Sequence, residues 1–101
     1  MKLLILTAIK EFEKEIKQQL KKAEVTTFSY KDVIGFRDST EDSLESNWFS
    51  SEMNQSQSIL FYAFVKKEKV DRLFESINNF NTKQETLSHI HVVVLNIEKS
   101  N

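Results

Sequence analysis

The chain has no cysteine, no proline and only one glycine, Gly35. Without cysteine there are no disulfides, no thiolate nucleophile and no cysteine-ligated zinc, which fits a cytoplasmic protein. One glycine cannot build the glycine-rich phosphate loops of P-loop or dinucleotide-binding proteins. Charge of one sign is also missing. The formal net charge is -1, so no bulk positive field draws nucleic acid. The longest apolar opening, Met1 to Ile9, is too short to cross a bilayer and lacks a signal-peptide cleavage site. Direct membrane insertion is therefore not expected.

What is present suits one domain spanning residues 1–101. Hydrophobic residues make up 40% and charged residues 29%, a globular balance. Met1 to Ile9 reads as a buried strand. From Lys10 to Ala23 the period changes: Phe12, Ile16 and Leu20 form one helical stripe, and Glu13 and Lys17 are ordered for an ion pair. Val25 to Phe36 alternates as a strand, with Phe28, Tyr30, Ile34 and Phe36 on one face. Gly35 is expected to mark a bulge or the start of a turn. Residues 38–57 have no period and read as a long loop. Ser58 to Val65 is a third strand. Lys67 to Asn81 is a second helix, with Val70, Leu73, Phe74, Ile77 and Phe80 on one face. Thr82 to Ser88 is a polar connection, and His89 to Ile97 a last strand.

The order is βαββαβ. Right-handed crossovers bring both helices to one side of a four-stranded antiparallel sheet, the ferredoxin-like α+β plait. Two helices cover one sheet face, and the other should turn polar. It does not. Leu3 and Ile5 oppose Leu4 and Leu6; Leu60, Tyr62 and Phe64 oppose Ile59, Phe61 and Ala63; Val93 and Leu95 oppose Val92 and Val94. An apolar face of roughly 400 Å² is unusual on a monomer. Covering it would contribute on the order of 10 kcal/mol before association costs. The expectation is a closed homo-oligomeric ring, the alternative being that the tail or the long loop folds back over that face.

Several side chains are candidate binding groups. The 38–57 loop holds Glu41, Asp42, Glu45 and Glu52, with Trp48 and Phe49 at its middle. Aromatic side chains on a long loop suit docking to a protein partner, and the carboxylates suit a basic surface or a hard cation. Arg37 at the loop base has the planar fork that holds carboxylate or phosphate. Lys83 is a second anion candidate. His89 and His91 alternate along a strand, so both face one way and offer two imidazoles to a divalent metal. No nucleophile elbow, paired-acid motif or helix-borne metal motif appears, and both histidines lie in one segment. The chain is expected to be non-catalytic and to require no cofactor.

The stretch from Val25 to Arg37, ending in Gly35, Phe36 and Arg37 ahead of the long loop, resembles the PII-like signalling family. There a strand similarly ends in a Gly-Phe pair before the T-loop. The resemblance covers most of the chain as architecture. It implies a cytoplasmic homotrimer with effector sites in clefts between subunits, where Gly35, Phe36, Arg37 and Lys83 would contact a small effector. It also implies a loop that engages a protein partner such as a membrane transporter. The departures are specific. The connection Thr82 to Ser88 lacks the glycines that wrap nucleotide phosphate, the expected basic pair near the C-terminus is absent, and Arg37 replaces a glycine. These argue against an ATP or ADP effector. Two alternatives share the plait: a metal-tolerance protein resembling the CutA-like relatives, and a small ferredoxin-like enzyme.

Overall fold

The computed structural model describes residues 1–36 and 55–101, with the side chains of residues 55 and 56 left aside. Strand β1 runs Lys2–Ile9, and a 3-10 turn, Lys10–Phe12, leads into helix α1, Glu13–Lys22. Strand β2 is Ser29–Phe36 and β3 is Gln55–Val65. A 3-10 turn, Lys67–Lys69, opens helix α2, Val70–Lys83, and β4 is His91–Asn96. The four strands are antiparallel in the order β2-β3-β1-β4. This is the expected plait.

Several details differ, among them the end of α2, at Lys83 rather than Asn81. β3 starts at Gln55 rather than Ser58, because Gln55, Ser56 and Gln57 pair with Phe36, Gly35 and Ile34. The expected loop therefore ends before Gln55. β2 starts at Ser29 rather than Val25, since the chain between α1 and Phe28 only returns to the sheet. β4 starts at His91, leaving His89 outside the strand. Gly35 makes no bulge or turn: it pairs with Ser56, and no glycine has positive φ.

A residue other than glycine takes the left-handed position. α1 ends with Glu24 at φ 61°, while Glu24 N–H bonds Lys21 O at 3.0 Å and Val25 N–H bonds Leu20 O at 2.9 Å. This is a Schellman stop, where glycine is usual. Val25, next in the chain, is buried and closes the hydrophobic side of the cap.

The sheet and helices share one core. Leu4 and Leu6 of β1, Ile59 and Phe61 of β3, Ile16 and Leu20 of α1, and Leu73 and Ile77 of α2 are fully buried. The expected helical stripes are the ones observed. Ser76 of α2 donates its hydroxyl to the Gln19 side chain of α1, so the one buried amide between the helices is satisfied.

No helix among the described residues covers the opposite sheet face. Cross-strand partners place Leu3 beside Phe64 and Leu95, and Ile5 beside Tyr62 and Val93. Phe64 is 57% exposed, Tyr62 43% and Leu95 42%. Among the described residues no helix is long and apolar enough to cross a membrane.

Candidate functional site

β2 is an edge strand, and its helix-side row is Tyr30, Asp32, Ile34 and Phe36. Phe61 anchors the lower part of that row: the Tyr30 ring stacks on it at 5.0 Å, and Phe28 meets it at 5.6 Å. Above them runs a chain of charges. Lys10, in the 3-10 turn after β1, bonds the Asp32 carboxylate and lies 2.7 Å from Glu13. Lys17, one turn along α1, donates to Glu13 at 2.9 Å and to the Tyr30 hydroxyl at 3.1 Å. Its ammonium also sits 4.3 Å from the Tyr30 ring centroid, a cation–π distance. The Glu13–Lys17 pair read from the sequence is thus present and extended.

These bonds fix protonation. Hydrogen bonds to Asp32 and then Glu13 hold the Lys10 ammonium well above its ordinary range. Bonds from Lys10 and then Lys17 hold Glu13 below the usual carboxylate value. Lys10 and Glu13 thus both stay charged near neutrality.

Beside this network is a cleft of about 530 Å³. Lys10, Asp32 and Ile34 line its helix side, and Lys31, Val33, Gln57 and Ser58 complete it. Lys10 is tied to carboxylates. Lys31 enters no ion pair among the described residues, so it is the cation available to an anion in the cleft. Sequence reasoning missed Lys31 as a cleft residue because its place beside Gln57 and Ser58 depends on strand register. Its closeness to Gly35 was the available signal.

The sequence-predicted residues are placed as follows. Gly35 and Phe36 follow directly on the cleft wall at the end of β2; Gly35 is buried and Phe36 is 64% exposed. Lys83 is the exposed last residue of α2 and does not line the cleft. It lies toward β4, the opposite edge of the sheet from β2. Arg37, Glu41, Asp42, Glu45, Trp48, Phe49 and Glu52 lie outside the described residues.

His91 begins β4 opposite Thr7 and is half-buried, whereas His89 precedes the strand and is exposed. Burial and then the His89 charge push His91 below the ordinary histidine value. That favours the neutral imidazole a metal needs. No cluster of three or more His, Cys, Asp or Glu forms among the described residues, so the pair alone offers two ligands.

The connection before β4 has an order of its own, which was not foreseen. Gln84 donates through Nε2 to Thr86 O at 2.9 Å and Ser88 O at 2.6 Å. The Thr86 amide donates back to Gln84 Oε1 at 2.8 Å, and the Ser88 amide to Thr86 Oγ1 at 3.2 Å. Asn81 then clamps both backbone groups of Ile90, each at 2.8 Å. Side-chain amides thus do here what loop glycines would leave open. The amides of Thr86 and Ser88 are already used. Leu87 stands at the tip, 76% exposed.

No protein-family model matches the chain, and no curated protein matches it either. Among solved structures, it is similar to CPII, a nitrogen regulatory PII-like protein from Thiomonas intermedia K12, bound to ADP, AMP and bicarbonate. The two share 15% identity, with 97% of this chain and 94% of that one covered and a TM-score of 0.60. At that identity the likeness shows the fold.

Proposed function

We propose, with the PII-like fold as premise, that this chain is a non-catalytic regulatory subunit working as a closed homotrimer in the cytoplasm. The observation that carries the reading is the uncovered sheet face, where Phe64, Tyr62 and Leu95 remain 57%, 43% and 42% exposed. A ring of three copies buries those side chains against one another. The β2-edge cleft then receives a small anionic effector through Lys31, next to Gly35 and Phe36. In this reading Arg37 is a further anion contact, Lys83 reaches the cleft from a neighbouring copy across the subunit boundary, and the acidic segment engages a protein partner such as a transporter.

The fold neighbour carries both nucleotides and bicarbonate. For this chain the engaged amides of Thr86 and Ser88 favour a small oxyanion over a nucleotide. Size-exclusion chromatography with light scattering, followed by a thermal-shift series with bicarbonate, ADP, AMP and cyclic dinucleotides, tests the proposal. A trimer stabilised by an anion is expected; a monomer, or a trimer indifferent to every anion, rejects it.

A second reading rests on the lowered His91 value beside His89. In it the chain binds a divalent metal, with symmetry-related copies completing the ligand set. Calorimetric titration with zinc and nickel, repeated on His91→Ala, separates the two readings. Heat lost in the variant supports the metal site, and no heat in the parent ends it.

A further inference from the structure

The charges of this nearly neutral chain are sorted to opposite ends. β1 and β2 run away from one end of the sheet, and β3 and β4 return to it. At that end α1 finishes with Lys21 and Lys22, and β3 passes through Lys66 and Lys67 into α2. The two stretches touch: Lys69 donates to Glu24 O at 2.7 Å, and Arg72 lies 3.3 Å from the Glu24 carboxylate. These two stretches hold six cations, Lys21, Lys22, Lys66, Lys67, Lys69 and Arg72, and three carboxylates, Glu24, Glu68 and Asp71, and Lys2 of β1, opposite Val65, adds a further cation at this end. Among the described residues, Lys21, Lys22, Lys66 and Lys67 enter no ion pair, and all four are exposed.

The placement is locally unfavourable. Lys67 and Lys69 occupy the turn that opens α2, where the positive end of the helix dipole repels cations. No side-chain cap offsets it, and Glu68 and Asp71 in the same turns balance the cations only in part. The acidic stretch of the sequence is joined to the other end of the sheet, through Phe36 and Gln55. Between Phe36 and Gln55 the sequence holds Asp38, Glu41, Asp42, Glu45 and Glu52, and only one cation, Arg37.

We propose that the basic end is a docking surface for the acidic stretch 38–52 of a second copy of this chain, joining molecules head to tail. The charges are complementary in sign and similar in number. The contact must be between molecules. The stretch is anchored at Phe36 and Gln55, which pair with each other. From there β3 alone, Gln55–Val65, spans about 33 Å to the basic end. A loop returning to its own start extends at most about 30 Å even when fully stretched. Only its tip near Glu45 could approach the basic end of its own chain, whereas Asp38 and Glu52, two and three residues from their anchors, fall far short, so the stretch as a whole meets that end only on a second molecule. A membrane or nucleic acid is less well matched, because the whole chain is net -1 and offers such large polyanions no attractive far field. A head-to-tail contact does not close on itself, so it extends whatever unit it starts from.

The test is sedimentation velocity of the full chain at about 20 mM and about 500 mM salt, which moves the screening length from about 20 Å to about 4 Å. Species larger than the high-salt unit are expected at low salt only. Lys66→Glu/Lys67→Glu and, separately, Glu41→Lys/Asp42→Lys/Glu45→Lys each weaken that association at least about tenfold. Mixing the two variants restores it, because one then has two acidic ends and the other two basic ends. Circular dichroism confirms that both variants remain folded. A salt-independent mass, a loop variant that still associates, or a mixture that stays apart overturns the proposal. The trimer is judged separately: burial of apolar area survives high salt, so a missing ring leaves monomers that still join head to tail.

Discussion

Phe64→Asp tests the proposed ring where it has most to lose. Phe64 is 57% exposed on the uncovered face, with its ring 6.3 Å from that of Tyr62. A phenylalanine side chain carries about 200 Å² of surface, so about 110 Å² awaits a neighbouring subunit. At about 25 cal/mol per Å², that burial is worth about 3 kcal/mol per subunit and about 9 kcal/mol over three. A carboxylate in the same place adds several kcal/mol of desolvation with no cation opposite it. In the isolated chain the change costs less. The loss is the roughly 90 Å² of Phe64 already covered within the chain, beside Leu3 and Tyr62, worth about 2 kcal/mol. The variant should therefore dissociate without unfolding.

Sedimentation at micromolar concentration reads the mass, and far-ultraviolet circular dichroism reads the fold. The expected result is a trimeric parent and a folded monomeric variant. A parent that is already monomeric, or a variant that keeps the parent's mass, refutes the reasoning.

Asn81→Ala strips both partners from the backbone of Ile90, which is 2% exposed; a loss of roughly 2–4 kcal/mol is expected in urea unfolding, and a loss under 1 kcal/mol would deny the clamp. Glu24→Gly relieves the left-handed backbone at the end of α1 and should raise the urea midpoint by the equivalent of about 1 kcal/mol; a lowered midpoint would mean the contacts of Glu24 with α2 outweigh strain. His91 is held below its ordinary value, so the unfolded chain takes up the proton first. Its contribution is whole above about pH 6.5 and declines as pH falls from there to the folded value. Urea titrations stepped through that window should show the slope in the parent and lose it in His91→Asn; an equal slope in both rejects the assignment.

The fold was legible because its periods are clean. Ile16 and Leu20 in α1, and Leu73 and Ile77 in α2, bury on the expected stripes, and the alternation in β1 and β3 gave the two faces correctly. The misplaced boundaries have two sources: at β2 and β4 buried residues such as Val25 and Ile90 lie outside the strands, and at β3 the reverse holds. Polar residues joined a strand by pairing rather than by burial: Gln55, Ser56 and Gln57 extend β3 because Ile34, Gly35 and Phe36 offer ladder partners. Hydrophobic pattern cannot register such a gain. Gly35 invited a bulge for its rarity, yet regular strand pairing needs no side chain there. The stop at Glu24 was invisible for the converse reason: with only one glycine in the chain, a left-handed cap had to fall on another residue. The site was less legible. Lys31 joins the cleft wall through strand register, and Lys10 meets Asp32 across the sheet, both of which depend on pairings far apart in sequence.

The connection before β4 separates two kinds of effector. A phosphate cradle needs backbone amides that converge on empty space. In this chain the amides of Thr86 and Ser88 converge on Gln84 Oε1 and Thr86 Oγ1 instead, at 2.8 and 3.2 Å. A nucleotide would have to displace both bonds, and with them the two carbonyl contacts of Gln84. Each net hydrogen bond is worth about 1 kcal/mol, so a nucleotide loses about 4 kcal/mol before it gains anything, close to three decades of affinity. Bicarbonate, small enough to sit beside Lys31 in the β2-edge cleft, disturbs none of these bonds. The expected outcome is a thermal shift with bicarbonate and none with ADP or AMP at millimolar ligand. Gln84→Gly, which removes the internal acceptor and restores backbone freedom, should make the nucleotide shift appear. If ADP stabilises the parent more than bicarbonate does, the side-chain lock on this loop is no barrier, and the preference for a small anion fails with it.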